Sequence, residues 1–549
     1  MKINMCLFFD GTACSYFNAD SDLPQLNQVN KPRVNLNENM KENIEKDTEV
    51  NNHSEINDFN LNVIDKKFLR QNIARLNKNN TLIKNGIHLG LSYTFGITNP
   101  ALLYFANKNN GEDAYVNGDT LVYSHYIEGV GASKGEPDDL YSEATALDAP
   151  FSNKGIIGRT DVAMKNVVDS IKDVSEKRDP NSITEIIFDL YGFSRGSACA
   201  RHFSNRLYKT DKVLQEAIAQ YLNKNPTKIK ITVRFIGLYD TVAAVISTLT
   251  GDAHDGNTGD IDIKIRPNYV QKITHLTAND EVRYNFSLNE IFKRDELTQH
   301  HYQNGNNYNY ITLPIPGTHL DIGGGYPRDQ VEHIHISPVY NYLNLDFIGK
   351  SQAVKKAQSC IDLFKSRKTW DYASKAEFAY TKVDVTENLL GGSVVALSHR
   401  NVKAGLSNVT LKLMMEAAER AGITFPSKDQ ILNQYSIKDD LIDTYQKLSD
   451  KVIGLEKGID IDLNLPEENI KYLAENYIHA SASYSEFSVE IKDKGSNTKR
   501  LIHSSELTNL SEAAVNSIID DATKIIYIYR PTDNYIRGIY DYDAVQIQG

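Results

Sequence analysis

Cysteine is scarce: Cys6, Cys14, Cys199 and Cys360 are the only four in 549 residues, and no two of them stand at a metal-ligand spacing. A long chain with so few thiols does not read as a disulfide framework and fits folding in a reducing cytoplasm. Long apolar runs are missing too. A membrane-crossing helix needs about 20 apolar residues in succession, and nothing approaches that. The N-terminal run Met5-Cys6-Leu7-Phe8-Phe9 stops at Asp10, so it reads as a strand and not as a signal peptide's apolar region. Basic excess is also lacking, with 60 Lys+Arg against 71 Asp+Glu and a net charge of −11. That sign, without any basic block, argues against a nucleic-acid partner. It offers no long-range attraction to an anionic membrane either, so lipid contact has to come from local apolar surface. Metal-binding patterns are weak. His333 with His335, and His300 with His301, follow no ligand motif, and Asp252, Asp255, Asn257 and Asp260 depart from the calcium-loop spacing. No metal and no cofactor is expected.

What is present is ordinary globular material, 41% hydrophobic and 24% charged, long enough for two domains or for one domain with large insertions. Apolar strands and helical stretches alternate: a first strand ending at Phe9, strands over 120–126, 186–190, 231–239 and 310–314, and helices over 161–171 and 212–222. Such alternation predicts an α/β fold, a mostly parallel sheet with helices on both faces. Residues 18–80 interrupt it. About a quarter of them are Asn and few are aromatic, which marks an inserted, loop-rich segment with one short helix over 65–76. Beyond about 340 the texture turns helical, as with Leu411, Met414, Met415 and Ala418 on one helix face. The expected organisation is therefore a catalytic domain over 1–340, carrying the 18–80 insertion, and a mainly helical part over 341–549 that covers the site, contacts membrane or packs on the first domain.

The chemistry concentrates at three strand ends. Ile186 to Leu190 runs into Gly192-Phe193-Ser194-Arg195-Gly196 and then a helical stretch, which is the context of a nucleophile elbow. A serine on so sharp a turn projects Oγ toward the free N–H groups of a helix N-terminus. The strand over 231–239 ends on Asp240, and that over 310–314 leads to Pro316-Gly317-Thr318-His319. Serine, acid and histidine in this chain order match α/β-hydrolases. Ser194 is assigned as nucleophile, His319 as base and then acid, and Asp240 as the carboxylate that holds the base. Asp321 is an alternative acid or a supporting partner. The oxyanion donors are expected to be the backbone N–H of Arg195 and an N–H of Gly11 or Thr12 in the loop after the first strand. Asp10-Gly11-Thr12 also resembles the start of a haloacid-dehalogenase phosphatase motif, but Phe8 stands where its nucleophilic aspartate belongs. Val242 to Leu249, directly after the acid, is apolar on most faces. It either lines the acyl site through Val242, Val245 and Leu249 or is a buried core helix.

Several of these segments together resemble a known family. They are Phe9-Asp10-Gly11-Thr12, Tyr126-x-x-Gly129-Val130-Gly131, the Gly192–Gly196 elbow with Ala200-Arg201, Phe235-x-Gly237-x-x-Asp240-Thr241-Val242, His275-x-x-x-x-Asp280-Glu281-x-Arg283, and Pro316-Gly317-x-His319-x-Asp321-x-Gly323-Gly324-Gly325-Tyr326. They span roughly 6–326 and are similar to the α/β-hydrolase phospholipase effectors of bacterial type VI secretion, in the first lipase-effector group. Weaker similarity continues through 406–422 and Tyr477-Ile478-His479-x-Ser481. The resemblance implies a phospholipase A acting on membrane phospholipid through Ser194, Asp240 and His319. It also implies delivery without a signal peptide by a type VI spike or tube protein, from the producer's cytoplasm to the periplasm and membrane of a rival cell, and neutralisation in the producer by an immunity protein. The residues alone reach a serine hydrolase. A soluble esterase or thioesterase, and an inactive adaptor that keeps the hydrolase fold, stand beside the phospholipase reading.

Overall fold

The computed structural model describes residues 1–19, 59–60, 83–84, 87–88 and 95–548, apart from 136–137, 140–141, 143–145, 149–151, 246–257, 267, 294–300, 305–306, 344–346, 388–390, 460, 486, 493–498, 504–511, 528 and 544. Most of the Asn-rich insertion, the helix expected over 65–76, Leu249, and Asp252, Asp255 and Asn257 lie outside the described residues.

The central sheet is built from β1 (Lys2–Phe9), β2 (Ala114–Asn117), β3 (Thr120–Ile127), β4 (Glu185–Phe193), β5 (Lys230–Tyr239), β6 (Val270–Ala278), β7 (His301–Asn304) and β8 (Asn307–Ile315). Across the sheet the order is β7-β8-β6-β5-β4-β1-β3-β2. The six inner strands run parallel, and an antiparallel strand closes each edge. β4, which carries the elbow, therefore sits mid-sheet between β1 and β5.

Both faces are covered, which is why these strands read as apolar runs without polar alternation. In β1, Ile3, Met5, Leu7 and Phe9 belong to one core and Cys6 and Phe8 to the other. The first core is closed by α2 (Ile156–Lys177), α3 (Arg195–Tyr208) and α4 (Lys212–Tyr221) through Val167, Ile171, Phe203 and Leu214. The second is closed by α1 (Asn99–Asn107) and, from far along the chain, α6 (Leu406–Arg420). Leu411, Met414, Met415 and Ala418 of α6 pack with Phe8, Tyr191 and Phe193. A short α5 (His319–Gly323) follows β8.

The C-terminal part interleaves its helices with antiparallel strands. Gly391–Val402 pairs with Gln330–His335, Tyr340–Leu343 and Tyr380–Glu387, so the division expected at 340 falls within this small sheet. Along Gly391–Val402 buried and half-buried residues alternate, the signature of a sheet with one covered face. Farther on, Ile539–Tyr540 pairs with Leu288–Asn289, which returns the chain end to the catalytic region. Among the described residues, no helix is long and apolar enough to cross a membrane.

Candidate active site

Ser194 lies between β4 and α3 with φ 56° and ψ −123°. A non-glycine residue there stores about 1–3 kcal/mol of strain. Close packing holds it. The Ser194 N–H donates to Tyr239 O at 3.0 Å, and its carbonyl accepts from Ser197 N at 3.0 Å. A Cβ on Gly196 would stand 2.3 Å from the carbonyl oxygens of Phe9 and Asp10, and one on Gly192 would stand 2.3 Å from Gly196 O. Larger residues at either place would push the elbow off its helix or off β1. Ser194 itself is buried in the free protein.

Asp240 ends β5, also at positive φ (44°), and is fully buried. Its Oδ2 lies 2.5 Å from His319 Nδ1, and its Oδ1 accepts from Ala278 N at 2.9 Å. Burial alone would raise this carboxyl, but the Arg537 guanidinium and His319 override it and hold the group far below the usual carboxylate range. A carboxylate can only accept, so Nδ1 carries the proton and Nε2 is the nitrogen left to work as base. His319 opens α5, where Thr318 and Asp321 form a capping box. Two aromatic rings set the imidazole: Phe193, the residue before Ser194, at 4.5 Å and Phe286 at 5.1 Å. Burial pushes its pKa down, and the Asp240 carboxylate opposes that shift.

The loop after β1 packs directly on the elbow. A Cβ on Gly11 would lie 2.6 Å from the Phe193 ring. Beneath it, the buried Asp10 carboxyl accepts from Gly11 N (2.7 Å), Thr98 Oγ1 (2.5 Å) and Tyr126 OH (2.5 Å). Burial lifts its pKa to about 6 against the pull of those donors. The Gly11 N–H is thereby engaged, whereas the Thr12 N–H makes no hydrogen bond among the described residues. The Arg195 side chain turns away to lash two loops together, donating to Ala243 O (3.2 Å), Ala244 O (3.0 Å) and Thr12 Oγ1 (3.4 Å).

The segment after Asp240 is not helical over its described part, 241–245, and Ala244 stands at positive φ. Val245 is buried in the core beneath α3 together with Ala243. Val242 is buried outside both cores, and its N–H reaches Ser194 O at 3.4 Å.

Supporting residues gather around the pair. His275 Nε2 accepts from Thr241 N at 3.2 Å, and its Nδ1 lies 3.4 Å from Glu290 Oε1. Buried Glu281 accepts from the His319 N–H (3.3 Å), from Ser481 Oγ (2.9 Å) and from Arg283 (2.9 and 3.0 Å). Burial works against the Glu281 charge, yet Arg283 holds its pKa down at about 2. Asp321 does not touch the His319 ring. It holds His479, with Nδ1 at 2.7 Å, and caps α5. Arg537 is the residue at this site that the sequence did not point to. It grips Asp240 with Nη1 on Oδ1 at 2.7 Å and Nη2 on Oδ2 at 2.9 Å, across 297 positions of sequence. Nothing in Asn534-Tyr535-Ile536-Arg537 marks it, because the pairing is wholly tertiary.

No curated protein sequence matches the chain. The family model described as "T6SS, Phospholipase effector Tle1-like, catalytic domain" matches residues 204–342, a stretch that holds Asp240 and His319 and begins after Ser194. A solved structure of the Tle1 effector bound to the VgrG spike from the type VI secretion system superposes with a TM-score of 0.66 at 21% identity, over 98% of this chain and 94% of that one. An uncharacterized protein from Pseudomonas aeruginosa aligns with a TM-score of 0.37 at 14% identity, over 86% of this chain and 52% of that one. In its motifs, in its family model and in its fold, the chain is similar to the Tle1-like phospholipase effectors of type VI secretion.

Proposed function

We propose that this protein is a serine carboxylester hydrolase of the phospholipase A type, cleaving membrane phospholipid through Ser194, His319 and Asp240. The observation that carries the reading is the buried Asp240–His319 pair packed against Phe193 of a strained serine elbow. Nε2 of His319 takes the Oγ proton as Oγ adds to the ester carbonyl carbon. The ester C–O bond then breaks, Nε2 returns the proton to the departing lysolipid oxygen, and an acyl-serine remains. Water repeats the sequence, which releases the fatty acid and restores Ser194. Asp240 keeps Nδ1 protonated and stabilises the imidazolium that forms at each addition.

Negative charge on the carbonyl oxygen is assigned to the Arg195 N–H at the start of α3 and to the Thr12 N–H, with Gly11 supplying close backbone approach. Val242 is assigned to acyl contact. The related Tle1 effector is bound to a VgrG spike. Delivery of this chain by a spike protein, action at the membrane of a recipient cell and protection of the producer by an immunity protein belong to the same proposal.

The test is product analysis on phospholipids with distinguishable acyl chains, alongside labelling by a fluorophosphonate probe. Labelling with release of one fatty acid supports the phospholipase. Labelling with activity confined to short soluble esters points to an esterase instead. A folded protein that is never labelled is an adaptor.

A further inference from the structure

Resting on the triad reading above, we propose that Arg537 is a positioning residue for catalysis and that the C-terminal segment carrying it is a strap that completes the active site. Arg537 and Asp240 are both buried, and the guanidinium meets the carboxylate with two near-parallel hydrogen bonds, the geometry that fixes a carboxylate's plane as well as its charge. The remaining donors set the surroundings of His319. Nε reaches Phe286 O at 2.7 Å, and Nη1 also reaches Ala278 O at 3.1 Å. The Phe286 ring is the one that stands edge-on to the His319 imidazole. One side chain thus holds the acid and one wall of the base's pocket.

The strap is zipped onto the loop over 282–290. Thr532 N donates to Val282 O (2.9 Å), Tyr284 N to Arg530 O (2.9 Å), Leu288 N to Gly538 O (2.9 Å) and Glu290 N to Tyr540 O (2.8 Å). Glu290, in that loop, also faces His275, which supports Thr241 beside the acid.

Electrostatics explains what such a clamp does. The charged groups around His319 are Asp240 from the end of β5, Glu281 and Arg283 from the loop after β6, and Arg537 from the strap behind Asp240. Asp321 on the same helix is occupied by His479. Two carboxylates therefore balance two guanidiniums, and a neutral imidazole is the matching resting form. Without Arg537, Asp240 would have His319 as its one ionic partner, and imidazolium would be favoured before substrate arrives.

The test compares Arg537→Met and Arg537→Lys with the wild-type full-length protein, reading kcat, KM, melting temperature and the pH dependence of kcat/KM. In the Met variant kcat should fall about 10²-fold, the order of loss that misplacement of a catalytic group produces. KM should change little. The acidic limb should move up, because the Asp240 carboxylate loses the cation it shares with His319. The Lys variant, which keeps charge but not the fork, should hold the limb near its wild-type position while losing part of kcat. Guanidinium ion should restore activity to Arg537→Ala, which a merely structural role would not allow. An unmoved acidic limb in a folded Met variant would overturn the proposal, as would a loss carried wholly by KM. If the Met variant does not fold, Arg537→Lys decides: wild-type kcat there overturns it. A wild-type protein that neither hydrolyses ester nor takes the fluorophosphonate label would instead overturn the hydrolase reading beneath it.

Discussion

Two buried aspartate–histidine pairs meet on one short helix. Asp240 holds His319, the first residue of α5, while Asp321, in the same helix, holds His479. Both contacts are made through Nδ1, at 2.5 and 2.7 Å, and all four side chains are buried. Their surroundings differ. His319 stands against Phe193, next to the serine, and its carboxylate is clamped by Arg537. His479 is stacked flat on Tyr326 at 3.6 Å, its Nε2 has no hydrogen-bond partner among the described residues, and its carboxylate is spent on the N-cap of α5 and on the His479 N–H. In the reaction proposed above, the His319 pair moves a proton because a serine elbow packs beside it. The His479 pair is a fastening, tying the C-terminal part to the helix that presents His319.

The severest way to break this contrast is Ser194→Ala. Only oxyanion stabilisation and binding would remain, so turnover should fall by roughly 10⁴-fold or more while the melting temperature stays near wild type. Near-normal release of fatty acid from a folded Ser194→Ala protein would remove the nucleophile assignment. His319→Ala should cost about as much, and the double variant little more than either single one, because members of one catalytic unit are not additive. His479→Ala should lose less than about tenfold in kcat and show itself in the melting temperature, since it vacates a buried site. Equal kinetic losses at His319 and His479 would erase the distinction. Among the acids, Asp240→Asn should lower kcat by about 10³-fold or more, and Asp321→Asn far less; the reverse order would exchange their roles.

Smallest is a pH effect. His319 is held below the usual imidazole pKa of about 6.5, so the acidic limb of kcat/KM should lie below that value. Stability also falls on acidification. Burial pushes the pKa values of His125 and His202 down to about 4, and His202 Nδ1 accepts from Asp262 N, which protonation would forbid. Between pH 6.5 and 4 the unfolded chain therefore binds more protons than the folded one, and acidification favours unfolding. Asp10, raised to about 6, has the opposite sign over part of that window and offsets some of the loss. Melting temperature should fall from pH 7 to pH 4, and His125→Gln should flatten the slope. A slope unchanged by that substitution would show that other groups set it.

Most of the central sheet was legible. The strands expected over 120–126, 186–190, 231–239 and 310–314 lie within β3, β4, β5 and β8, and the helices over 161–171 and 212–222 coincide with α2 and α4 to within a residue or two where their ends are concerned or lie inside them. Strands covered on both faces must be apolar along their length, and that requirement is written in neighbouring residues. The elbow was legible for a similar reason, because the close approach of β4, α3 and β1 demands small residues at 192 and 196. The strands of the C-terminal part were not foreseen. Gly391–Val402 finds its partners on either side only after the chain has folded back, and strand preference is set more by such packing than by a strand's own residues.

By itself, then, the amino-acid sequence determined the local features: a strand-turn-serine-helix, an aspartate at one strand end, a histidine after another, and an acidic net charge. Turn geometry and burial period act over a few residues, so adjacent side chains specify them. Tertiary structure alone decided which aspartate serves which histidine, that the Gly11 N–H goes to Asp10, and that Arg537 closes on Asp240 from 297 positions away. A buried charge is stable only when packing brings it a partner, and that partner's place along the chain is free to be anywhere the fold returns to.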